Sequence, residues 1–97
     1  MIAFLRELDA SEAMYGRELT GDEILRHAVK HYGKTKEQIL SSCAKRELVA
    51  IRKAITWAMR DRNRSYPRIG QLLKKHHTTC KYHIGKVQAA LSEGVSA

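Results

Sequence analysis

The chain has 97 residues, of which 43% are hydrophobic and 29% charged, and its formal net charge is +8. That length makes one domain around one modest core, and a surplus of this size makes a polyanion such as nucleic acid the first partner to consider. It also disfavours a secreted or membrane protein: no apolar run reaches a membrane span, Ile2 to Leu5 is too short for a signal sequence and is followed directly by acids, and Cys43 and Cys80 read as reduced thiols of a cytoplasmic, nucleoid-associated protein.

The charge is unevenly placed. From Met1 to Glu23 the bases Arg6 and Arg17 face the acids Glu7, Asp9, Glu12, Glu18, Asp22 and Glu23, a net charge of −4, and from Ile24 onward sixteen bases face four acids, a net charge of +12. The polyanion-binding surface is therefore expected in the last three quarters of the chain.

The elements follow in chain order. Met1 to about Tyr15 is expected as a short helix with Ile2, Leu5 and Leu8 on its inner side, ended by Gly16. Thr20-Gly21-Asp22-Glu23 has capping-box spacing and opens a helix to about Tyr32 that buries Ile24, Leu25, Ala28, Val29 and Tyr32 and stops at Gly33. Thr35-Lys36-Glu37-Gln38 repeats the box and opens a short helix through Ile39 and Leu40, ended by Ser41 and Ser42. A longer helix over about Arg46 to Arg62 carries Leu48, Ile51, Ile55 and Met59 at steps of three or four, with Trp57 at the edge of that stripe.

Asn63-Arg64-Ser65 is a turn, from which Ser65 caps a helix with Pro67 in its first turn and an end near Leu73. A last helix is expected from His77 or Thr78, with Cys80, Ile84, Val87 and Leu91 facing inward and Thr78, Thr79, Lys81, Tyr82 and Lys86 outward. The fold class is all-α, a compact bundle of about five helices containing a helix-turn-helix. The domain reading is an acidic helix or arm over residues 1–19, the helix-turn-helix domain over 20–93 and a frayed tail over 94–97.

Function is carried by the stretch from Ser65 to Val87. Two helices joined by a tight basic turn, the second opening with small polar residues, is what a major-groove reader needs. Short side chains let the backbone approach the base edges, hydroxyls donate or accept, and a threonine methyl packs on thymine. Ser65-Tyr66-Pro67-Arg68-Ile69-Gly70 and His77-Thr78-Thr79 follow one another as an S-x-P-x-I-G helix and a D-H-T-T-V recognition helix do, and on these motifs the chain from about Thr20 to Leu91 resembles the C-terminal DNA-binding domain of DnaA-type bacterial replication initiators, a domain of the Trp-repressor-like class.

The resemblance implies base-facing roles for His76, His77, Thr78, Thr79 and Tyr82. Lys45, Arg46, Arg52, Lys53, Arg68, Lys74, Lys75, Lys81 and Lys86 form the expected phosphate-contacting set. Where the family carries an aspartate this chain has His76, its basic loop is reduced to Lys45 and Arg46, and its arginine-proline step is Ala50-Ile51. These departures predict looser reading of the initiator's own box, at about 1–3 kcal/mol per lost base contact. The family's ATP-binding module has no counterpart in these residues.

Other readings are weaker. Thr78 and Thr79 alone could be simple helix caps, and Lys30, Lys34 and Lys36 read as a solvated face. His77, Cys80 and His83 spread around a helix and Cys80 is wanted in the core, so neither they nor the His27/His31 pair reads as a metal site. There is no glycine-rich phosphate loop and no nucleophile with an orienting base; the chain reads as a non-enzyme without cofactor. The expected partner is double-stranded DNA, in a regulator or replication accessory factor. The alternative is a protein-interaction module or antagonist that uses the acidic lead against a replication or transcription protein. A homodimer through the first helix is a further expectation, and RNA ranks below DNA because exposed aromatic pairs are lacking.

Overall fold

Local chemistry sets the helix boundaries. Thr20 Oγ1 accepts from the Glu23 N–H at 3.3 Å while Glu23 Oε1 accepts from the Thr20 N–H at 2.9 Å, and Thr35 and Gln38 repeat the exchange at 3.1 and 2.9 Å. These boxes satisfy N–H groups that a helix start leaves without partners. Gly16 and Gly33 close the preceding helices with φ of 71° and 66°, the left-handed conformation that glycine adopts without a Cβ clash.

The computed structural model describes residues 1–75. They form α1 (Ile2–Tyr15), α2 (Gly21–Tyr32), α3 (Lys36–Leu40), α4 (Arg46–Asp61) and α5 (Tyr66–Leu73), with no strand among the described residues. The all-α expectation is met and the five expected boundaries hold to within a residue or two. The last expected helix and the tail lie outside the described residues.

Helix α4 is the hub, in contact with α1, α2, α3 and α5. It contributes Leu48, Ile51, Ala54, Ile55, Ala58 and Met59 to a core that also takes Ile24, Leu25 and Ala28 from α2, Ile39 from α3, and Ile69 and Leu73 from α5. Gly21 lets the start of α2 approach this hub: a Cβ there would lie 3.1 Å from Met59 Cε and 3.3 Å from a Leu72 methyl. Val29, Tyr32 and Trp57 are only half-buried.

The first helix is turned relative to the expected face. Phe4 and Leu8, four residues apart, are fully buried, Leu5 is half-buried, and Ile2 is 59% exposed. The Phe4 ring decides the rotation by packing against the rings of His31 and Tyr32, at centroid distances of 5.6 and 5.4 Å, because an aromatic side chain offers more apolar area than an isoleucine at the fraying first residue.

Two carboxylates fasten α1 from its polar side. Glu12 binds Arg62 through both oxygens, at 2.7 Å from Nε and 2.9 Å from Nη2, and also accepts the Leu19 N–H at 2.8 Å. Arg62 is 5% exposed and adds the Ala58 carbonyl at 2.9 Å and Asp9 at 3.3 Å. Glu7 receives His27 Nδ1 at 3.1 Å and His31 Nδ1 at 2.9 Å. Residues 1–19 are thus a helix integrated into the same core.

The Arg62 hydrogen bond, above all, holds the Glu12 carboxyl below the ordinary carboxylate range, with the Leu19 N–H and the Arg62 and Arg64 charges adding to it against the opposing effect of burial. A carboxyl whose pKa is lower folded than unfolded stabilises the fold above its unfolded pKa, and that stability is lost as pH falls through the folded value. Glu12→Gln is expected to cost about 3 kcal/mol at neutral pH, since it leaves the Arg62 charge buried without its main partner. Urea titrations from pH 7 down to pH 3 should show the gap between wild type and variant narrowing below about pH 4. A gap independent of pH would mean that the ion pair does not carry the attachment.

Candidate nucleic-acid interface

Helix α5 is the first half of the expected helix-turn-helix. Ser65 Oγ accepts the Arg68 N–H at 3.4 Å, and Pro67 stands in the first turn, where its missing N–H has no helical partner to lose. Ile69, Gly70 and Leu73 are buried, which leaves Arg68, Gln71 and Lys74 on the outer side. The helix ends at Lys74, whose φ of 54° reverses the chain, and the Lys75 N–H closes the turn on the Gly70 carbonyl at 2.9 Å. A non-glycine residue is strained there.

The turn lies beside the segment between α3 and α4. Lys36, Glu37, Leu40, Ser41 and Lys74 line one shallow cleft, and Lys75 Nζ donates to the Ser41 carbonyl at 2.8 Å and to that of Leu40 at 3.4 Å. Lys45 and Arg46 are exposed at the start of α4 and Lys53 is half-buried on it. Arg68 stands at the other end of α5, in a cleft shared with Thr20, Gly21, Asp22 and Arg64. Within the described residues, Lys45, Arg46, Lys53, Arg68 and Lys74 form no ion pair with another described residue.

Arg52 departs from its expected role. It is 4% exposed, and its guanidinium donates to the carbonyls of Ile39 at 2.6 Å, Cys43 at 2.7 Å, Ser41 at 2.8 Å and Gln38 at 3.2 Å. Its spacing carried a signal, since Arg52 stands four residues after Leu48 and three before Ile55 on the inner face of α4, and only the charge of its side chain pointed to solvent. Burial holds its pKa below the usual arginine value. Of the remaining expected residues, His76, His77, Thr78, Thr79, Lys81, Tyr82 and Lys86 lie outside the described residues.

Other groups also take definite places. Cys43 is an exposed free thiol. His27 and His31, at ligand spacing, direct their Nδ1 atoms to Glu7. Lys34 pairs with Glu47 at 2.9 Å. Arg64 and Lys36 share clefts with Arg68 and Lys74 and were not in the expected set; the only signal for Arg64 is its place one helical turn before Arg68. Among the described residues no helix is long and apolar enough to cross a membrane.

Residues 21–87 match the family described as the bacterial DnaA protein helix-turn-helix. The chain belongs to the bacterial DnaA helix-turn-helix family. The chromosomal replication initiator protein DnaA of Thermus thermophilus, in each of two strains, is 39% identical to it over 82 residues, which is 80% of this chain and 19% of the relative. The chain thus spans about a fifth of the length of these curated relatives. No solved structure matches it at a significant level.

The chain is thereby a DNA-binding domain of the DnaA type, and its regular structure among the described residues is helical. The match begins at Gly21, the first residue of α2. Helix α1 precedes the matched region and is joined to it by Phe4, Leu8, Glu7 and Glu12.

Lys74 combines a strained backbone with an exposed charge, and one substitution separates the two. Lys74→Gly is expected to raise stability in urea by roughly 0.5–1 kcal/mol by removing left-handed strain. It should also lower the salt slope of duplex binding by about 0.9 if the ammonium meets a phosphate. Stability that falls on substitution would contradict the strain assigned to the turn.

Proposed function

We propose that this DnaA-type domain binds double-stranded DNA as a regulator or replication accessory factor, with a recognition helix that begins near His77. The observation that carries the reading is the meeting of the α5 turn and the Ser41–Lys45 segment at one edge, the two parts of the domain from which contacts to adjacent grooves would come. Lys45, Arg46, Lys53, Arg68 and Lys74 would hold phosphates, joined by Lys36, Arg64, Lys81 and Lys86. His76, His77, Thr78, Thr79 and Tyr82 would face the bases. That assignment rests on the sequence motif, and on the ability of short hydroxyl side chains at a helix start to reach base edges.

The exposed cations serve affinity and the helix start serves discrimination, because phosphate contacts carry no sequence information. The relatives are replication initiators by name, and a role near replication is the simplest inheritance for this chain. The engagement of Glu7, Glu12 and Glu23 within the fold leaves less of the acidic lead for the interaction-module alternative and favours the DNA reading.

Fluorescence anisotropy with a random duplex and with one carrying an initiator-type box, at low and physiological salt, tests the reading. Both duplexes should be bound with steep salt dependence, the box more tightly. Lys53→Ala should weaken both alike and lower the slope by about one, whereas Thr79→Ala should cost about 1–3 kcal/mol on the preferred duplex alone. Retention of neither duplex by the wild type would overturn the proposal, and equal weakening of both by Thr79→Ala would overturn the base-facing assignment.

A further inference from the structure

Two cations from different elements converge on one short run of backbone carbonyls. Arg52, in the second turn of α4, reaches Gln38, Ile39, Ser41 and Cys43, and Lys75, just beyond the α5 turn, reaches Leu40 and Ser41. The Ser41 carbonyl accepts from both, at 2.8 Å each. Helix α3 has five residues, and the last four carbonyls of any helix lack intrahelical partners. The cations supply partners to three of these, Gln38, Ile39 and Leu40. Each hydrogen bond has a charged donor, the stronger kind, and breaking those to Ile39, Leu40 or Cys43 would leave a carbonyl with no other donor among the described residues.

We infer that Arg52 and Lys75 are positioning residues that lock the Ser41–Lys45 loop to the turn of the helix-turn-helix, so that the two parts facing DNA are presented as one body. This rests on the DNA-binding reading above. Two of the three N–H donors of the Lys75 ammonium are taken by carbonyls and hold it against the loop, whereas its neighbour Lys74 is exposed and has no ion pair within the described residues. A preformed loop avoids the ordering penalty that a loose one incurs on binding. Burial, and next to it the like charge of Arg52, hold the Lys75 ammonium below the ordinary lysine value, which the carbonyls of Ser41 and Leu40 oppose by accepting from it.

The lock differs from a phosphate contact in what its loss does. In the full chain, Lys75→Met should weaken the box duplex about tenfold through lost preorganisation and leave the slope of log K against log salt unchanged. A fall in that slope of about 0.9 would make Lys75 a phosphate contact and overturn the inference, as would undiminished binding to the box.

A second readout needs no DNA. With Cys80→Ala, Cys43 is the sole thiol, and a nitroxide on it reports loop motion by electron paramagnetic resonance. Lys75→Met should sharpen its spectrum while the far-ultraviolet circular dichroism melt stays cooperative; an unchanged spectrum overturns the lock. Arg52→Lys, which keeps the charge but loses the planar fork, should sharpen it as well, and a spectrum like the wild type's would remove Arg52 from the lock. A wild type that holds neither duplex overturns the DNA reading, and with it the purpose assigned to the lock; the label spectrum reports the lock itself independently.

Discussion

A buried guanidinium holds the least regular part of this fold in place. Arg52 lies under the end of α3 and the segment that follows it, and four carbonyls turn toward it, those of Gln38 and Ile39 in α3 and of Ser41 and Cys43 beyond it. No carboxylate is its partner among the described residues. The charge is instead solvated by peptide dipoles at the end of a short helix, where the dipole favours a cation. A five-residue helix is not stable by itself, so the direction in which α3 leaves the bundle depends on Ile39 in the core and on this cation at its end. The Thr56 hydroxyl, bonded to the Arg52 carbonyl at 2.7 Å, shares the same stretch of α4. The loop that follows α3 can be short and still be aimed, because its carbonyls have fixed partners.

Arg62 does comparable work at the opposite end of α4 with a different partner. There the charge meets the Glu12 carboxylate, and the pair fastens a helix that precedes the family's matched region. Four of the six acids of the first 23 residues are taken up in this way: Glu12 and Asp9 by Arg62, Glu7 by two histidines, Glu23 by Arg17 and its own cap. Hydrogen bonds to Arg17 and to the Thr20 N–H hold the Glu23 carboxyl down at about 2. The negative charge of the lead is thereby kept within α1, α2 and their junction, while Lys45, Arg46, Lys53 and Lys74 remain unpaired among the described residues. The charge asymmetry visible along the chain becomes an asymmetry in space.

Most of the architecture was legible because its signals are local. A threonine followed three residues later by glutamate or glutamine, a glycine after the last apolar position and a proline just after a serine each act within one turn, so Thr20, Gly33, Thr35 and Ser65 could be read without tertiary knowledge. The face of α1 could not. Its apolar residues are few and interspersed with alanines, and only the rings of His31 and Tyr32 on α2 make Phe4 the better inward residue than Ile2. Arg52 was misread for a related reason. An arginine is ordinarily solvated, so its place four residues after Leu48 on the inner face of α4 was passed over, and the carbonyls that make its burial possible belong to another element. The base-facing set was legible only through the motif, from Ser65 to Thr79, that marks the family.

One departure from the family pattern has a structural reading. At the family's arginine-proline step this chain has Ala50-Ile51, and α4 already begins at Arg46. A proline at 51 would remove the N–H that an interior helical residue donates and would drive the preceding residue out of the helical region. Isoleucine does neither, and at 3% exposure it adds to the core. The helix thus runs unbroken from Arg46 through this step, and the segment before it is the five residues from Ser41 to Lys45. Lys45 and Arg46 then stand at the first turn of α4, where a cation is unfavourable to the helix itself. The two cations therefore add nothing to the stability of the helix start, and both are exposed beside the segment that Arg52 holds.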